Sequence, residues 1–168
     1  YTLSLHDALP ISKLRRLLVD GGTPALRKKF DEYHPPKNLR NRLKLYRDKI
    51  EIDFAQKYLT GEQKELLFPS DGSDPDSKNF DISLLFYLLS TTCGLKAPRT
   101  KWNSEPHKKD RSLPAQLVRI KLRRNKLCHK PETAIDEAKF AELWKDISGI
   151  LLSLGLEQAV INRLEDEP

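Results

Sequence analysis

Between Asp81 and Gly94 the chain carries Ile82, Leu84, Leu85, Phe86, Tyr87, Leu88 and Leu89, which leave almost no polar side. A helix that is apolar all round must be buried all round. Asp81 supplies its N-cap and Gly94 its stop. The chain therefore needs other elements around a central helix, and those elements also read as helices. Only seven glycines and a 32% charged content disfavour a turn-rich β-sandwich. Ser12 to Val19 and Pro24 to Tyr33 read as short helices, each with its own start and stop. Thr23-Pro24 is the second start, and His34-Pro35-Pro36 ends that helix. Asn38 to Leu59 repeats Leu39, Leu43, Tyr46, Ile50 and Phe54 at helical spacing. Thr60 to Leu67 is another short helix, followed by a Pro-, Ser-, Asp- and Gly-rich surface loop from Phe68 to Asn79. An irregular connection from Leu95 to Asp110 precedes a helix capped by Ser112 that runs to about Cys128. Asp136 caps the next, to Leu154, with Phe140, Trp144, Ile147, Leu151 and Leu154 as its stripe. Gln158 to Leu164 forms the last. With no strand pattern and no internal repeat, the fold class is an all-α helical bundle with a long irregular loop before its penultimate long helix.

The 168 residues suffice for one domain with one core. No apolar run approaches the roughly 18 residues that span a bilayer. Cys93 and Cys128 are too few for a disulfide framework or a zinc cage, so no metal or other cofactor is expected, and reducing cytoplasm is the expected compartment. The formal charge of +6 permits a polyanionic partner. That charge is uneven. Lys13 to Lys49 holds twelve basic and four acidic residues, and Lys108 to Lys130 holds nine basic residues against Asp110 alone. Pro131 onward is acidic. Residues 1–11 reproduce the translation of a common sequencing-library adapter and are set aside as an artefact. The rest divides into an N-terminal helical segment (12–35), the bundle (36–155), and a C-terminal helix with an acidic tail (156–168). The chain holds no methionine, so it reads as a transcript fragment with its true N-terminus missing and with further domains of a longer parent protein beyond it.

The informative helix begins at Ser112. Leu113, Leu117, Ile120 and Leu127 fall on one stripe, and Arg124 falls in its middle. A core-facing arginine must be paired, for example with Asp81 or Asp110, or must face a polar cleft. Arg119, Arg123 and Lys126 fall on other faces. Val118, Leu122, Asn125 and His129 share a second strip, as though a second subunit covered it. His129 sits five positions after Arg124, where it serves either as a pH-poised imidazole or as a partner for the helix's last carbonyls. Five residues subtend about 140° on a helix, so the pair converges only where the helix ends or across a two-fold axis. Trp102 and Trp144 read as packing anchors before stacking platforms.

The Arg124-Asn125-Lys126-Leu127-Cys128-His129 segment resembles the R-x-x-x-x-H signature of HEPN domains, the nucleotide-binding helical bundles of higher eukaryotes and prokaryotes. The wider context resembles the HEPN subfamily first named in the DAZ-interacting RING-finger ubiquitin ligase. Its blocks are Phe68 to Gly72, Asn79 to Leu89, Lys101 to Pro106, Asp110 to His129 and Phe140 to Gly155. Lys101 stands before Trp102 where that pattern expects glycine. The resemblance implies an all-α bundle, a homodimer through the motif helix, and metal-independent RNA cleavage at the dimer interface in catalytic members. His129 would be the general acid or base, Arg124 would hold the phosphate, and Asn125 would orient either one. Arg119, Arg123, Lys126 and Lys130 would contact the RNA backbone. The alternative is a non-catalytic dimerisation or protein-interaction module of a larger signalling or ubiquitin-ligase protein.

Overall fold

A computed structural model describes residues 10–129 and 135–168. Among them the regular structure is helical, with no strand. By contact the described residues divide into two units, residues 10–25 with 97–129 and 135–168, and residues 26–96.

The first unit contains α1 (Pro10–Arg16), a π-turn over Leu17–Gly21, the start of α2 (Gly22–Tyr33), α7 (Leu113–Cys128), α8 (Glu137–Ser153) and α9 (Gln158–Asp166). Pro10 and Ile11, the last of the residues set aside above, open α1, and Ile11 is fully buried. Ile11, Leu14, Leu17 and Leu18 form a core with Leu117, Ile120, Ile147, Leu151 and Leu164. The expected break between the first two helices is absent. Gly22 stays right-handed at φ −71°, and the π-turn shifts the hydrogen-bond register just ahead of Pro24, whose ring would strain a regular helix. Gly21 is needed for space, because a Cβ there would meet Leu151 Cδ1 at 2.9 Å. Basic residues of α1 close the ends of two other helices. Arg15 Nε and Nη2 both donate to the Leu127 carbonyl, at 3.1 and 2.7 Å. Arg16 donates to the carbonyls of Glu167 and Pro168. Cations at helix C-termini satisfy free carbonyls and favour the dipole.

The second unit holds the remainder of α2, then α3 (Leu39–Leu45), α4 (Arg47–Ala55), α5 (Gly61–Leu67) and α6 (Ile82–Thr92). No residue of α6 is exposed, as its apolar circumference requires, and Asp81 caps it through Leu84 N at 2.9 Å. The single helix expected over 38–59 is two helices, interrupted at Tyr46 (φ −108°, ψ 9°) and ended by Lys57 in the left-handed region at φ 66°. The apolar face survives the break: Leu39, Leu43 and Ile50 are all buried. The stretch from Phe68 to Asn79 is less superficial than its composition suggests. It lays down a 3-10 turn at Ser77–Asn79, and Pro75 and Ser77 are buried. Arg27 donates to the carbonyls of Ser77 and Phe80, and the Ser77 hydroxyl donates to Asp31.

His34 is also in this unit, 2% exposed, with Nε2 3.0 Å from Thr92 Oγ1 and its ring 5.0 Å from that of Phe30. Burial pushes its pKa below the ordinary 6.5, outweighing the opposing effect of the Thr92 carbonyl. The unfolded chain therefore takes up a proton at a pH where the native state does not. The contribution of His34 to native stability is full above pH 6.5 and is lost as the pH drops through 6.5 toward the lower folded-state pKa. Urea midpoints measured between pH 7 and 5 should fall with acid in the wild type. They should fall less steeply in His34→Gln, which has no titrating group there. Equal slopes would remove His34 as the cause.

Candidate functional site

Helix α7 changes character along its length. Ser112 caps it through Ala115 N, and Pro114 occupies its first turn. Ala115 through Ile120 are buried on every face, Lys121 through Arg124 are half-buried, and Asn125, Lys126, Cys128 and His129 are exposed. Val118, placed by periodicity on a strip for a second subunit, is fully buried within this chain.

The three arginines of α7 are treated differently. Arg119, expected on an outer face, is 5% exposed. Its Nη2 donates to the His107 carbonyl at 2.8 Å, and its Nη1 donates to the Asp110 carbonyl and Gln116 Oε1 at 2.6 and 2.7 Å. Gln116 Nε2 continues this line to Ser153 Oγ, which donates to the Ile150 carbonyl. A buried polar chain thus ties the irregular loop to α7 and α8. Arg123 clamps two carboxylates. Its Nη1 and Nη2 meet the two oxygens of Glu105 at 2.6 and 2.9 Å, and its Nε meets Asp146 at 2.8 Å. The Arg123 hydrogen bond holds the Glu105 carboxyl below its usual range, and the two carboxylates keep the guanidinium protonated. Arg124 is half-buried, with no hydrogen bond or ion pair among the described residues, to Asp110 or any other carboxylate. His129 follows α7 as its C-cap residue at φ −104°, ψ 2°. Lys130 lies outside the described residues.

Beside Arg123 a groove of about 880 Å³ runs along α7 and α8. Leu122, Leu143 and Ile150 give it apolar wall, and Lys108, Arg111, Lys126 and Lys145 stand exposed around it. Among the described residues none of these four cations is ion-paired, whereas Lys139 is 3.6 Å from Glu142. Lys145 was hidden in the sequence by its acidic surroundings. The Glu105–Arg123–Asp146 clamp was hidden because its members come from three distant segments. Trp102 is half-buried and Trp144 is buried against Phe140, ring centroids 5.7 Å apart. The connection before α7 places Lys101 at φ 70°, in the left-handed region. Glycine adopts that conformation freely, and lysine holds it at a cost of roughly 1 kcal/mol. Burial pushes the Cys93 thiol up to about 11, so it is no thiolate nucleophile. Among the described residues no group of three or more His, Cys, Asp or Glu could hold a metal ion, and no helix is long and apolar enough to cross a membrane.

Residues 36–168 match the family model described as DZIP3/hRUL138-like HEPN. The chain is 31% identical to the E3 ubiquitin-protein ligase DZIP3 of Homo sapiens and 30% identical to that of Mus musculus, over 174 aligned positions in each case. These alignments cover 96% of this chain and 14% of each relative, so the chain spans about one seventh of the length of the curated relatives it matches. No solved structure matches it.

Proposed function

Because this chain belongs to the DZIP3/hRUL138-like HEPN family, we propose that it is an RNA-binding module that grips the phosphodiester backbone along the α7–α8 groove. One observation carries this reading: the inner arginines are committed to protein partners, while Arg124 and the four cations around the groove are not. A mobile anion binds where positive charge is unspent, and RNA phosphates release counterions on meeting it. Arg119 and Arg123 thereby act in the reading as structural supports. The groove contacts fall to Lys126, with Lys108, Arg111 and Lys145 added from the structure; Arg124, which does not line the groove, and Lys130 are retained from the sequence as backbone contacts beside it.

Cleavage is the further step of the same reading. The ribose 2′-hydroxyl attacks the adjacent phosphorus, giving up its proton as the new P–O bond forms. The 5′-oxygen leaves and takes a proton as the old bond breaks, producing a 2′,3′-cyclic phosphate. An imidazole can both take and give a proton, so His129 serves as acid or base. Arg124 neutralises the charge that builds on the phosphate oxygens, and Asn125 orients the pair. The angular separation of Arg124 and His129 on one helix favours a site completed by a second copy of the chain. The expected module is a cytoplasmic homodimer.

A non-catalytic interaction role within a larger ubiquitin ligase is the second reading. It is favoured by the small fraction of the ligase relatives that the chain spans. RNA binding separates the two. Arg124→Ala should weaken binding of a single-stranded RNA about tenfold and lower the slope of log affinity against log salt by about 0.7. Wild-type protein that fails to bind RNA at low salt would remove the first reading and leave the second.

A further inference from the structure

A second anion-binding arrangement lies in the unit formed by residues 26–96, independent of the groove on α7. There a pocket of about 400 Å³ is lined by Arg40, Lys44, Arg47 and Lys64, with Phe54 and Phe68 in its wall. We propose that this pocket binds the phosphate of a phosphorylated serine or threonine side chain in a partner peptide.

The cations come from three helices and are held in different ways. The Arg47 guanidinium lies 4.5 Å over the centre of the Phe68 ring, and Lys64 Nζ lies 4.6 Å over that of Phe54. These contacts restrain two long side chains that would otherwise lose rotamer freedom on binding. Arg40 is fixed to the loop beside it. Its Nε is 2.6 Å from Asp74, and its Nη2 donates to the Gly72 carbonyl at 2.6 Å. Lys44 is exposed and without a partner among the described residues. Two carboxylates stand beside these cations, Glu51 and, in the pocket wall itself, Glu65. Glu51 meets Lys64 at 2.8 Å and Arg47 only loosely at 3.7 Å. Glu65 takes the backbone N–H and hydroxyl of Ser70, both at 2.7 Å. Lys44 and the outer nitrogens of Arg47 are therefore the charge left for a ligand, with Lys64 beside them.

The chemistry of the ligand follows from charge, volume and the rings. A phosphomonoester carries about −1.5 to −2 charges and three acceptor oxygens, which suits several convergent cations better than the single charge of a phosphodiester. A volume near 400 Å³ is at the small end of ligand sites and has no room for a run of nucleotides. Phe54 and Phe68, the two rings that could stack a base, each already hold a cation over a face. Leu67, Pro69 and Pro75 extend the wall with apolar surface of the kind that receives the residues flanking a phosphoserine.

The probe is N-acetyl-phosphoserine amide, titrated into the isotope-labelled 168-residue chain and followed by amide chemical shifts. Saturable shifts are expected at Lys44, Arg47, Lys64 and Ser70 to Ser73, with none from the unphosphorylated compound. Lys44→Glu, which disturbs no contact among the described residues, should weaken the affinity at least about tenfold while the remaining spectrum is preserved. Arg47→Gln should weaken it comparably. The proposal is overturned by an absence of saturable shifts at these residues, by unchanged affinity in both variants, or by tighter binding of adenosine monophosphate than of the phosphoserine compound.

Discussion

Arg119→Ala lowers the unfolding free energy by about 3 kcal/mol, the cost of leaving several buried acceptors unpaired. The substitution takes the donors away from the carbonyls of His107 and Asp110 and from Gln116 Oε1. Gln116 then loses the partner that holds its amide toward Ser153. At a residue 5% exposed these acceptors lie away from bulk solvent. Arg119→Lys recovers little, because one ammonium cannot reproduce a planar fork that meets three acceptors in two directions. Urea unfolding with an unchanged denaturant slope is the measurement. Amide exchange should show the loop from residue 97 to Asp110 losing protection first. A change below about 0.5 kcal/mol, ordinary for a surface residue, would mean that Arg119 is not the pin of this loop.

His129→Ala reduces cleavage of single-stranded RNA in EDTA at least about a hundredfold, the usual contribution of a positioned acid or base. The proposed pairing of Arg124 with His129 from two copies has a sharper consequence. Arg124→Ala and His129→Ala are each inactive alone. Mixed and allowed to exchange subunits, they should recover roughly a quarter of wild-type activity, since half the dimers are hybrids carrying one intact site of two. Recovery shows that the site is shared between subunits. Two inactive variants that stay inactive together would place both groups in one chain. Wild-type binding without cleavage would leave a binder and remove the acid–base role of His129.

What could be read from the sequence was whatever is local. The helical class, the caps Asp81, Ser112 and Asp136, and the all-round burial of α6 follow from residues next to one another, and each is found in the fold. The reading failed where a distant partner decides. Periodicity put Arg124 inside and Arg119 and Arg123 outside. Arg119 is the buried one because two carbonyls of the preceding loop arrive to receive it, and no helical wheel contains that loop. Asp53 is buried for the same kind of reason: Tyr87, 34 residues away, donates to it at 2.5 Å. The merging of the first two helices was equally invisible, since Gly22 stays right-handed and a π-turn carries the chain through Gly21, where only a residue without a Cβ fits against Leu151. For the candidate site, the motif helix and its charge were legible. Which of its arginines is left unspent was not.

The discontinuous make-up of the first unit bears on how the chain is made. Helix α1 is translated before segment 26–96, but the helices that bury Leu14 and Leu17 are encoded after residue 112. At usual synthesis rates that interval is on the order of ten seconds. During it the contiguous segment 26–96 emerges whole and can finish folding first. The nascent chain therefore carries an unpaired apolar helix ahead of segment 26–96 while it waits, which is the stretch a ribosome-associated chaperone would be expected to hold.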